Sequence, residues 1–348
     1  MLLYIHIPFC ESKCPYCAFG SLVGQKDKFK AYFKALIKDF DSFSKDLAGV
    51  KFETVFIGGG TPSVVDAALY EELFLKISPF LEKEAEITSE ANPNSASFEW
   101  ISKMKEFGLN RLSMGAQSFY NDKLKMLGRT HDKSAVFKAV EAAKKAGLKR
   151  ISVDLIYGTA LDNKERIKGE VAAIKSLNIS HASAYTLTLE EGTPFQNRLE
   201  LSKDDEALAR LVKDELENVG LKRYEVSNFG DICRHNLGYW QGKEYLGIGA
   251  YSVGFLGGAR LYAPKSLNQY LASPNSRQKE VLSSDDMVLE RLFLGLRSCV
   301  GVEIKSLPNA WQEKAQTLIN EKKLEQRGDK IYAKEYLLAD ELALYITL

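Results

Sequence analysis

An excess of charge of either sign is missing from this sequence. Lysine and arginine number 47 against 46 aspartate and glutamate, a formal charge of +1. That balance builds no long-range field to gather nucleic acid or anionic lipid, so no nucleic-acid partner is expected, although a local basic groove stays open. Long apolar runs are also missing: none reaches about 18 residues, the length a membrane-spanning helix needs. The first residues run straight into an apolar strand, without a basic segment and small-residue cleavage site, so neither export nor membrane spanning is expected. Cysteine is sparse, five in 348 residues. A secreted disulfide scaffold would be shorter and richer in it, and a reducing compartment such as the cytosol is the natural setting. No internal repeat beyond a βα period and no low-complexity tract is visible.

The little cysteine there is lies clustered. Cys10, Cys14 and Cys17 stand in the spacing C-x3-C-x2-C just after the first apolar strand. Three thiolates can hold three irons of a cubane, and without a fourth they leave one iron open to a small molecule. This is the spacing of radical S-adenosylmethionine (SAM) proteins, in which the methionyl amino and carboxylate groups take the open iron. Buried thiols or a zinc site are the alternative, but zinc sites usually pair two C-x2-C knuckles. The other cysteines, Cys233 and Cys299, are isolated.

The length predicts one large domain and a smaller one. Up to about residue 190, short apolar strands alternate with amphipathic helices, the pattern of parallel βα units. The strands are expected at Leu2 to Ile7, Thr54 to Ile57, Glu86 to Asn92, Arg111 to Gln117, Arg150 to Tyr157 and His181 to Leu187. Helices are expected at Asp27 to Ser44, Ala67 to Leu81, Ser97 to Phe107 and Lys133 to Ala146. Six units are too few to close a (βα)8 barrel, so an open, partial (βα)6 TIM-type barrel is predicted for residues 1–200. Residues 201–283 read as a sheet extension and connecting region: a charged helix from Lys203 to Val219, a strand from Tyr224 to Phe229, then edge strands and loops. Residues 284–348 give helix, helix, a hairpin at Gly328-Asp329 and a last helix from Lys334 to Tyr345. That order predicts a small winged-helix-like α+β domain. Without a concentrated basic helix, packing or partner docking is expected of it rather than DNA binding.

Barrel chemistry comes from strand ends and the loops after them. Gly58-Gly59-Gly60-Thr61-Pro62 leaves backbone uncovered for a ligand amino group. Arg129 offers a fork for a carboxylate and Glu90 a counter-charge for the amino or sulfonium end, while Gln117 and Asp154 offer acceptors for ribose hydroxyls. Any one of these alone reads equally well as a structural polar contact; their shared end of the barrel is the argument.

The chain resembles the oxygen-independent coproporphyrinogen III oxidase family of radical SAM proteins over nearly its whole length. The resemblance rests on Tyr4-Ile5-His6-Ile7-Pro8-Phe9-Cys10, the cysteine triplet, the glycine loop, Glu90-Ala91-Asn92-Pro93, Gly115-Ala116-Gln117-Ser118-Phe119, Leu127-Gly128-Arg129, Asp154-Leu155-Ile156-Tyr157-Gly158 and His235-Asn236-Leu237-Gly238-Tyr239-Trp240. It implies that Cys10, Cys14 and Cys17 hold a [4Fe-4S] cluster. It also implies that Tyr4, Tyr16, Gly59, Gly60, Thr61, Glu90, Gln117, Arg129 and Asp154 contact SAM, Tyr16 chiefly through its backbone.

The family has two branches. Oxidases resemble C-x3-C-x2-C-x-C and carry a long segment ahead of the first strand. Here Phe19 stands at the extra cysteine's place, and three residues precede Tyr4. Both departures point to the branch of heme chaperones, which share His-Asn-x-x-Tyr-Trp. The resemblance thus implies a cytoplasmic protein that binds heme and passes it to hemoproteins such as respiratory enzymes, with peripheral membrane association and a cluster-dependent dimer left open. A heme iron needs an axial ligand. His235 is the first candidate and Cys233 the second, with Tyr239 and Trp240 flanking the ring. His6 is expected to bond locally, His131 and His181 to be structural or solvent-facing, and Cys299 to be a buried small apolar group. Two other readings stay open: the porphyrinogen decarboxylase itself, against which Phe19 speaks, and a radical SAM enzyme acting on RNA, against which the missing basic face speaks.

Overall fold

The apolar run at the start forms β1, Leu2–Ile7, in a computed structural model that describes every residue except 44–46, 48 and 204. Its side chains are buried on both faces, as in a parallel sheet covered on both sides. Five parallel strands follow at βα intervals: β2 (Phe52–Gly59), β3 (Leu81–Ala91), β4 (Arg111–Gln117), β5 (Arg150–Tyr157) and β6 (His181–Thr186). Each pairs with the next in chain order, from Leu2 opposite Thr54 to Tyr157 opposite Thr186. This is the open (βα)6 barrel expected, and its strands all point their carboxyl ends to one rim.

The helices cover the outer face through apolar residues at helical spacing. In α1 (Phe29–Ser42), Tyr32, Phe33, Leu36, Ile37 and Phe40 are buried, each side chain contributing roughly 1.5–3 kcal/mol. The expected helix here was longer: residues 26–28 form a 3-10 turn, and its last residue, Ser44, lies outside the described residues. The expected helix from Ala67 to Leu81 is broken. A 3-10 turn at Ala67–Tyr70 leads into a helix at Glu71–Ile77; Pro79 then sits in a second 3-10 turn, and Leu81 already opens β3. Proline has no N–H to continue a helix, which accounts for the stop. The charged helix runs from Glu206 to Asn218 with Asp205 accepting from the Leu208 N–H, and Asp204 lies outside the described residues.

The sheet continues past both barrel edges to eleven strands. Beyond β6, β7 (Asn228–Gly230) runs antiparallel. It is shorter than expected, because Val226 donates to the Arg297 carbonyl instead of joining a ladder and Tyr224 closes a turn on the Asn228 carbonyl. Beyond β1, β8 (Tyr245–Ile248) is parallel to it, and β9 (Val253–Leu256), β10 (Ala259–Tyr262) and β11 (Gln278–Val281) follow antiparallel. Between these edges the segment expected as loop forms a helix, α2 (Arg234–Trp240). The remainder, from α3 (Ser284–Leu296, capped by Ser283 and Asp286) onward, packs helices Asn309–Asn320 and Ala339–Thr347 on a three-stranded sheet. Leu292, Leu296, Leu318, Ile331, Leu342 and Ile346 form an apolar core of its own there.

Candidate functional site

The loop between β1 and α1 lays the three cysteines over the barrel rim. Cys10, Cys14 and Cys17 are half-buried and line one cavity of about 160 Å³ together with Gly59, Gly60 and Thr61. A turn closes the loop, Cys17 N–H to the Cys14 carbonyl at 3.1 Å, and Leu22 N–H reaches the Pro8 carbonyl at 2.6 Å. The buried His6 ring bolts the loop to β1: Nε2 lies 2.8 Å from the Gly20 carbonyl and Nδ1 3.0 Å from the Tyr4 hydroxyl. Cys10 Sγ stands 3.5 Å from Thr61 Oγ1, and Arg129 Nη1 donates to Cys14 Sγ at 3.4 Å. Among the described residues no three His, Cys, Asp or Glu side chains converge on one point as ligands of a single ion. Thiols set apart around one cavity suit a cubane, where each iron takes its own sulfur, and not the closed tetrahedron of a zinc knuckle.

After β2 the chain has to be bare. Gly59 has φ +113°, and a Cβ there would come within 2.6 Å of the His6 ring; at Gly60 a Cβ would lie 2.7 Å from the Phe9 carbonyl and 3.0 Å from Cys10 Sγ. The next strands bring polar groups to the same cavity. Glu90, at the end of β3, accepts the Gly59 N–H at 3.1 Å; burial, reinforced by the neighbouring Asp154 carboxyl, pushes its pKa up to about 8. Asp154 in β5 accepts from Ser113 Oγ at 3.2 Å and is likewise raised by burial. Gln117 ends β4 at φ +63°, where the β4–β5 register slips, a bulge at the barrel rim. Arg129 Nη2 donates to the Gly115 carbonyl at 2.8 Å, but its buried Nε has no partner among the described residues. A guanidinium N–H left over, the Glu90 carboxyl raised to about 8 by burial with Asp154 raised beside it, and an uncovered backbone edge fit a ligand bearing both a carboxylate and a positive group.

Eight of the nine residues expected around SAM line this cavity: Tyr16, Gly59, Gly60, Thr61, Glu90, Gln117, Arg129 and Asp154. Tyr4 does not. Its hydroxyl is spent on His6, and its ring borders the neighbouring cavities. The two residues expected as heme ligands lie away from the thiol cavity, between α2 and the strands β2 and β3. His235 is fully buried, with Nδ1 2.7 Å from Thr54 Oγ1 and Nε2 2.9 Å from the Tyr239 hydroxyl, so both ring nitrogens are bonded within the chain. Cys233 is fully buried and donates to Glu86 Oε1 at 3.5 Å. Glu86 also accepts the backbone N–H groups of Arg234 and His235, both at 3.1 Å, capping α2. The His-Asn-x-x-Tyr-Trp stretch therefore fastens α2 to β2 and β3. His131 and His181 are buried and bonded, and Cys299 is exposed rather than buried.

A three-thiol loop and a glycine edge over the rim of a partial barrel define a radical SAM protein, and the Radical SAM superfamily profile matches residues 4–172. In that superfamily the thiol triplet serves a [4Fe-4S] cluster and SAM. The fold is that of coproporphyrinogen III oxidase (HemN) from Escherichia coli, described as a radical SAM enzyme: TM-score 0.84, 21% identity, 99% of this chain and 89% of that one covered. Heme chaperone HemW of Lactococcus lactis is 37% identical over 94% of this chain and 92% of its own length, and that of Bacillus subtilis 33% identical over 87% and 84%. The chain belongs to the HemW family.

Proposed function

We propose that this protein is a heme chaperone: it binds heme and hands it to hemoproteins, membrane-associated respiratory enzymes among them, from the cytoplasm and at the membrane surface. The observation that carries this is the 37% identity, sustained over 94% of the chain, with a relative named a heme chaperone. Phe19 supports it, standing where the oxidase pattern has a further cysteine. No helix among the described residues is long and apolar enough to cross a membrane. Cys10, Cys14 and Cys17 are the residues to hold a [4Fe-4S] cluster, which when bound offers SAM an open iron and an electron. Gly59 and Gly60 present bare backbone to the ligand amino group. Arg129 has Nε left for the carboxylate. Glu90, held protonated by its burial, gives up its proton as a positive group arrives beside it. Gln117 and Asp154 take hydroxyl donors, Thr61 steadies Cys10, and Tyr4 acts through His6, keeping the loop in place. Dimerisation on cluster loading belongs to the same reading.

The test is anaerobic reconstitution of the full chain, hemin titration by absorbance, and a parallel assay for coproporphyrinogen III decarboxylation. Saturable hemin binding without decarboxylation is expected. Turnover without hemin binding would overturn the proposal in favour of the oxidase.

A further inference from the structure

A second cavity, of about 840 Å³, opens between the cysteine loop, the sheet extension and α3. One wall is a cross-strand row. Tyr245 of β8 lies opposite Phe255 of β9, and Phe255 opposite Arg260 of β10. Residues paired in this way share a face of the sheet, and the Tyr245 and Phe255 ring centroids are 6.3 Å apart. Two aromatic rings, tilted 40° to each other, and a guanidinium thus make one row along a single face of the sheet. Phe19 lines the cavity from the cysteine loop and is 70% exposed, a large apolar ring that the chain itself leaves uncovered. Tyr251 is held at φ +67°, a conformation few non-glycine residues adopt, with its ring against Gly20, where a Cβ would come within 2.3 Å of it. Strain of that kind persists only where the surroundings fix it, and it concentrates at ligand sites.

The charge of this cavity is one-sided in a chain that is otherwise balanced. Lys13, Lys243, Arg260 and Lys265 line it against a single acid, Glu290. Glu290 is taken by Arg260, and Glu53 by Lys243. Lys13 and Lys265 pair with no carboxylate among the described residues. The one imidazole in the lining, His6, has both nitrogens engaged, and no cysteine contributes.

We propose that this cavity, and not His235, holds the tetrapyrrole. The macrocycle packs against the Tyr245–Phe255 row with Phe19 beside it, and its two carboxylates meet Lys13 and Lys265. Recognition is of ring faces and carboxylates rather than of the iron, as suits a protein that must let its cargo go. This rests on the heme-binding reading above and assigns its site. Phe19 and Lys13 also border the thiol cavity, so the ring sits directly beside the cysteine loop.

The experiment titrates the reconstituted full chain with hemin, following tryptophan quenching and absorbance, and repeats it with Lys265→Glu, Phe255→Ala and the conservative Lys265→Arg. Lys265→Glu and Phe255→Ala are each expected to weaken hemin about tenfold, and Lys265→Arg to match the parent. Iron-free protoporphyrin IX is expected to displace hemin. If Phe255→Ala fails to fold, shown by lost circular dichroism, Lys265→Glu at its exposed position carries the test. Hemin bound by the parent with unchanged affinity in Lys265→Glu, or no displacement by protoporphyrin, overturns the assignment while leaving heme binding intact. A parent chain that takes up no hemin removes the functional reading and this site with it.

Discussion

Glu90 is a carboxyl held in its neutral form by where the backbone puts it. It accepts one N–H from Gly59, and that bond does not offset the burial that raises its pKa from 4.5 to about 8. The sign of the consequence follows. Between these two values the folded chain holds a proton that the unfolded chain has lost, so stability falls as pH rises through the window, by up to about 1.4 kcal/mol per pH unit. Asp154, raised for the same reason, adds in the same direction. Glu90→Gln is expected to flatten the decline between pH 6 and 8 relative to the parent, read from urea unfolding of the ligand-free protein at each pH. Parallel curves for the two proteins would show that Glu90 is already ionised. The cost is consistent with a ligand site, since a positive group placed against Glu90 recovers what the empty cavity forgoes.

At the scale of elements, the aromatic row on β8 to β10 leans on one buried carboxylate in α1. Asp39, fully buried, accepts the Gly249 N–H at 3.0 Å just after β8, the Tyr270 hydroxyl at 2.8 Å, and Arg277 Nη2 at 2.5 Å just before β11. Asp39→Ala leaves a buried guanidinium without its counter-charge, and a loss of about 3–5 kcal/mol in chemical denaturation is expected, with Asp39→Asn in between. A loss under about 1 kcal/mol would mean that apolar packing alone holds the extension. Nothing in the sequence near Asp39 reveals this clamp, because its partners lie more than two hundred residues on. The same reason separates what was legible from what was not. β1, β4 and β5 are read with their observed ends, since a run buried on both faces is visible in composition alone. β8 to β11 read only as edge strands and loops without bounds, because β8 owes its place to β1 at the other end of the chain. Within the site, the cysteine triplet and the strand-end carboxyls carry local signals. The positive φ of Gln117 is set by a register slip against β5, and the occupied Nδ1 of His235 is set by Thr54, 181 residues away.

Across the whole molecule, every histidine is withheld from solvent. His6, His131, His181 and His235 are all buried, each with at least one ring nitrogen bonded inside the chain. Burial lowers all four, His6 and His131 to about 4, His235 to about 3, and His181 well below its usual range. The residue type that most often senses pH near neutrality is therefore silent here. Unfolding frees four imidazoles to take up protons below about 6.5, so together they stabilise the fold above that pH and withdraw that support as the pH falls. Buried carboxyls such as Glu90 and Glu225 oppose this in part, since they gain protons in the folded state. In the folded protein none of the four imidazole resonances is expected to titrate between pH 8 and 5 by NMR, and a midpoint near 6.5 for any one would place that ring in contact with water. With all four silent, a pH dependence of ligand binding between 6 and 8 is expected from the thiol cavity's raised carboxyl. Glu90 is the group placed for it, so the same mutation that flattens the stability curve should also flatten the pH profile of binding.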